Sequence, residues 1–62
     1  MTKKQKGLAV NAIAIFLLMI EMGMDEKLSD QWLKRTLRMI AKNKVPKALE
    51  FFLNNFLGVN PA

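Results

Sequence analysis

The chain contains no cysteine, no histidine and no tyrosine. Without cysteine there can be no disulfide, and without either cysteine or histidine the common zinc sites are excluded. The same absences remove most nucleophiles and general bases. The single serine, Ser29, reads as a helix cap, and the carboxylates are Glu21, Asp25, Glu26, Asp30 and Glu50. General acid–base catalysis needs a group of tuned pKa held in a pocket, and so small a unit has little room for one. Glu21, Asp25 and Glu26 lie close together but lack the oxygen-rich loop of a calcium site. Glycine is scarce, with three residues, and no phosphate-cradling glycine loop is present. The expectation is a non-enzyme with no catalytic residue, cofactor or metal.

Long apolar runs are also missing. The uncharged run near the N-terminus, Leu8 to Ile20 after Gly7, covers thirteen residues, short of the ~20 needed to span a bilayer. The lysine-rich start followed by this run resembles the charged and apolar regions of a signal peptide. The run ends in IEMGMDEK, however, with a glutamate and bulky methionines where a signal peptidase needs small residues. A helix buried within a helical assembly fits the pattern better, because helices apolar all round occur in cores as well as in membranes.

Against these absences stand 52% hydrophobic residues and a formal charge of +5 in a chain of 62 residues. Ordering such a chain costs ~90 kcal/mol at ~1.5 kcal/mol per residue. Burying about 60% of its unfolded surface, a little over half of it apolar, returns about the same amount. A lone copy therefore sits near zero, and association is the remedy that remains. The chain reads as one domain over 1–62, with 1–5 and 59–62 as loose ends, assembling as a homodimer or larger helical oligomer. No repeat, low-complexity tract or linker interrupts it.

Three helices are predicted, at about 6–22, 29–43 and 46–57. The first is rich in alanine, leucine and methionine and ends at Gly23, which suits a left-handed cap. Asn11 is its one polar residue near the middle. It either faces solvent or, if buried, fixes register in an assembly. For the second helix Ser29 is the expected N-cap, with Leu28 and Leu33 as a hydrophobic staple. Met24 to Leu28 is open between a loop and an extra turn capped by Asp25. Trp32, Leu33, Thr36, Leu37, Met39, Ile40 and Ala41 form an apolar face, and Lys34, Arg35, Arg38 and Lys42 share the other side. Pro46 suits the first turn of the third helix and favours a break near Asn43 to Val45. Leu49, Phe52, Leu53, Phe56 and Leu57 line one face of that helix, Phe51 lies at its boundary, and Gly58 can close it.

These features select among binding functions. The basic stripe Lys34, Arg35, Arg38 and Lys42 is the expected partner-binding face. Ile13, Phe16, Leu17, Ile20, Phe51, Phe52 and Phe56 are the expected oligomer interface. The favoured function is a cytoplasmic regulatory protein that docks on a larger, acidic-faced protein and modulates it. Small basic chains of this kind are associated with compact bacterial, phage and plasmid genomes. Trp32, Phe51 and Arg38 are residue types enriched at interfaces, and the methionines give adaptable surfaces. A second reading is a membrane-active or membrane-associated peptide. The composition is similar to that of leaderless antibacterial peptides, which are short, cationic, cysteine-free and helical, but no motif matches residue by residue. A third reading is salt-dependent nucleic-acid binding by the basic stripe. The third helix, with Lys47, Glu50, Asn54 and Asn55 among aromatic and aliphatic residues, looks more like an interface than a helix that reads bases.

Overall fold

The computed structural model describes residues 2–56, which form three helices: α1 (Lys3–Glu21), α2 (Glu26–Ala41) and α3 (Lys47–Phe56). No strand occurs among the described residues. The first helix starts three residues earlier than its periodicity predicts, taking in Lys3 to Gln5. Thr2 and Gln5 form a reciprocal capping box: the Gln5 amide donates to Thr2 Oγ1 at 3.1 Å, and the Thr2 amide donates to Gln5 Oε1 at 2.8 Å. This satisfies two otherwise orphaned donors. The cap works against local electrostatics, because Lys3, Lys4 and Lys6 place positive charge at the positive end of the helix dipole.

Gly23 ends α1 as expected, with φ +85°. Met24 N–H donates to the Met19 carbonyl and Gly23 N–H to that of Ile20, both at 3.0 Å, the double closure of a Schellman motif. The same motif closes α2 around Asn43, at φ 56°: Lys44 N–H donates to Met39 and Asn43 N–H to Ile40, again at 3.0 Å. The chain then passes Val45 and Pro46 into α3, so the predicted break is present. Pro46 precedes the helix rather than opening it, and its carbonyl accepts from Glu50 N–H at 2.8 Å.

The second helix corrects two expectations. Its N-cap is Asp25, whose Oδ1 accepts from the amides of Lys27 at 2.8 Å and Leu28 at 3.2 Å. Ser29 is inside the helix and fully buried, its hydroxyl without a hydrogen-bond partner. The expected staple is likewise absent, since Leu28 is 62% exposed while Leu33 packs on the core. Asp25 prevails because beginning there turns Ser29, Thr36 and Ile40 inward together, at spacings of seven and four. Two of these three side chains are small, which lets α2 lie close to α1.

The first helix is the central element. The second packs along one side of it and the third along another, while the backbones of α2 and α3 do not approach each other. Gln5 Nε2 donates to the Ile40 carbonyl at 3.0 Å, tying the start of α1 to the end of α2. Lys4 pairs with Glu50 at 2.5 Å, and Asn11 Nδ2 donates to the Leu53 carbonyl, so α3 runs in the same sense as α1. The solvent-facing alternative for Asn11 is therefore wrong. It is fully buried, and its amide donates across the interior to a backbone carbonyl of α3. Five apolar residues are buried: Leu8, Ala12, Ile15, Ile40 and Leu53. Met19, Trp32, Leu33, Leu37, Val45 and Leu49 pack around them. Leu57, Gly58 and the expected C-terminal loose end at 59–62 lie outside the described residues.

Candidate interaction surfaces

The outer surface of α2 is basic. Lys34, Arg35, Arg38 and Lys42 are all exposed and share one side of the helix. Starting the helix at Glu26 adds a residue that the sequence reading missed. Lys27 and Gln31, both exposed, continue the same face at i, i+4, i+7 and i+11 with Lys34 and Arg38. That spacing is visible in the sequence, but it has meaning only once residues 26–28 are known to be helical. Asp30 pairs with Lys34 at 3.0 Å, so part of the stripe is neutralised locally. Lys27, Arg35, Arg38 and Lys42 have no acidic partner among the described residues. Arg38 and Lys42 also sit at the C-terminal end of α2, where positive charge complements the helix dipole.

The outer surface of α1 is aliphatic. Val10 is 60% exposed, Ile13 44%, Leu17 59% and Ile20 36%. They recur at spacings of three, four and three, the pattern of a coiled-coil seam. Opposite them, Leu8, Asn11, Ala12 and Ile15 face the core. Phe16, assigned with Ile13, Leu17 and Ile20 to an oligomer interface, is half-buried on the flank of this seam. Val10 was missed, although its distance from Ile13 and Leu17 places it on the same face.

The aromatic residues of α3 do not form one surface. Phe52 and Phe56 pack against each other with ring centroids 5.4 Å apart, and both are exposed. Phe51, 71% exposed, lies about 100° further round the helix. It lines a shallow cleft with Lys4, Lys47, Glu50 and Asn54. Trp32 is half-buried and packs on the core.

Charge is divided between the two ends of the molecule. Contacts from Gln5 to Ile40 and from Lys4 to Glu50 bring the start of α1, the end of α2 and the start of α3 together. Lys3, Lys4, Lys6, Lys42, Lys44 and Lys47 therefore gather at one end, all exposed. At the other end, around the turn from α1 to α2, are Glu21, Asp25 and Glu26. No group of three or more potential metal-ligating side chains occurs among the described residues. No described helix is long and apolar enough to cross a membrane. No protein-family model matches the chain, and neither the curated proteins nor the solved structures contain a match to it.

Proposed function

We propose that this chain is a small, non-enzymatic helical interaction protein that self-associates and binds a larger, acidic-faced protein through the basic face of α2, modulating that partner in the cytoplasm. One observation carries the reading: Arg35, Arg38 and Lys42, without an acidic partner among the described residues, line the outside of a helix whose other side is fixed in the core. The helix backbone that carries them is already ordered, so docking has to order only the side chains. Its charge would accelerate encounter with an acidic surface and reject basic ones. Self-association through the outer face of α1 would leave this stripe open, because α2 covers the opposite side of that helix.

The test is a double charge reversal, Arg35→Glu with Arg38→Glu, in tagged protein recovered from its native host. Both side chains are exposed, so helicity by circular dichroism should be unchanged while the co-purifying protein is lost. Retention of the same partner by the folded variant would refute this assignment of the face. The other readings give different outcomes. Nucleic-acid binding would appear as a mobility shift that weakens steeply between low and physiological salt. A membrane-active peptide would release dye from anionic vesicles.

A further inference from the structure

We infer that a second copy of this chain covers the outer seam of α1, in an antiparallel arrangement that sets Glu21 of each copy near Lys6 of the other. This rests on the self-association proposed above and specifies its geometry. The seam consists of Val10, Ile13, Leu17 and Ile20, all exposed. In a two-fold antiparallel pair of helices the layers join unlike seam positions. Val10 then meets Ile20 of the second copy, and Ile13 meets Leu17, so that four layers close from four residues. Ala14 flanks the seam near its middle, and its small side chain permits close approach of the two helices.

The charges at the ends of the seam fix the direction. Lys3 and Lys6 continue the seam spacing beyond Val10, whereas Glu21 flanks it beside Ile20. Along one helix Lys6 and Glu21 are about 22 Å apart and cannot pair with each other. Antiparallel packing brings Glu21 of one copy to the level of Ala9 of the other, about 4.5 Å along the axis from Lys6 and within reach of its side chain, twice per dimer. Parallel packing would set Lys3 and Lys6 against their own counterparts, and with them the whole lysine-bearing end of the molecule. The antiparallel form places that end next to the acidic turn carrying Glu21, Asp25 and Glu26. Like charges directly opposed disfavour an arrangement as effectively as paired ones favour it.

Two sets of variants of the full chain test this by sedimentation and by oxidative cross-linking. Lys6→Glu should weaken the dimer about tenfold, since it replaces two attractions by two repulsions. Adding Glu21→Lys in the same chain should restore it, a rescue that only contact between copies can produce. All these side chains are exposed, so helicity should not change. Because the natural chain has no cysteine, single cysteines report the direction without background. Val10→Cys mixed with Ile20→Cys should cross-link to each other and not to themselves, because like positions lie about 15 Å apart along the axis in an antiparallel pair. Self-linking of Val10→Cys in a dimer would overturn the direction while leaving self-association intact. A dimer indifferent to Lys6→Glu and lacking the mixed cross-link would show that another surface makes the contact. A chain that sediments as a monomer would overturn both this geometry and the self-association on which it rests.

Discussion

The first two helices meet in the same core but leave it differently. The second turns Ser29, Thr36 and Ile40 inward and presents lysine and arginine to water. The first turns Leu8, Asn11, Ala12 and Ile15 inward and presents Val10, Ile13 and Leu17. Burial of one helical face requires a stripe only about 100° wide. The second helix meets that requirement and is finished as a surface helix. The first has apolar residues far beyond it, and the amides it carries, Gln5 and Asn11, donate to backbone carbonyls of its two neighbours. Its outer aliphatics remain 36–60% exposed in one copy, so their composition is better explained by a contact with something else.

Substitutions on the two faces of α1 and α2 separate these roles. The largest effect belongs to Ile40→Ala, which empties a fully buried site at the junction of the helices. Such changes cost about 2–5 kcal/mol, and the thermal transition should be lost or broadened. By contrast Leu17→Ala, on the exposed seam, should leave the stability of a single copy within ~0.5 kcal/mol while weakening association. Equal destabilisation by the two changes in a dilute sample would erase the distinction between the faces. Next comes Asn11→Ala, which removes the buried hydrogen bond to the Leu53 carbonyl. Loss of such a bond costs up to about 1.5 kcal/mol, measurable by urea denaturation.

The caps of α2 give a smaller and sharper contrast. Asp25→Ala should cost about 1 kcal/mol, the usual value of an N-cap. Ser29→Ala should be neutral or slightly stabilising, because its buried hydroxyl has no partner to lose. A melting series in which Ser29→Ala is the more damaging would restore Ser29 as the cap. The smallest effect is expected for Asp30→Ala, which removes an exposed i,i+4 pair with Lys34 worth about 0.3–0.5 kcal/mol. Its consequence lies instead in the basic face, which becomes more positive and should bind an acidic partner more tightly.

The helices themselves were legible because their signals are local. Gly23 marks a left-handed stop by its own backbone freedom, and Pro46 disfavours helix just before it. What could not be read locally was the choice between two acceptable caps. Ser29 and Asp25 both suit an N-cap, and the decision depends on which face of α2 meets α1. Its result is a small buried side chain, a property of the pair of helices rather than of the segment. Asn11 was ambiguous for the same reason, since the carbonyl it serves belongs to Leu53, 42 residues away. On the surface, the basic stripe followed directly from a helical period, but its extension to Lys27 required the earlier start of the helix. The helical period likewise places Phe51 at the boundary of the face that carries Phe52 and Phe56, although all three were assigned to one interface.

The central claim is that the outer face of α1 is made to be covered by another copy of the chain. Sedimentation equilibrium of the natural protein and of Leu17→Glu, at matched micromolar concentration, tests it most directly. A dimer mass for the natural chain and a monomer mass for the variant, with equal helicity, is the predicted result. A natural chain that stays monomeric throughout that range, or a variant that remains dimeric, would contradict it.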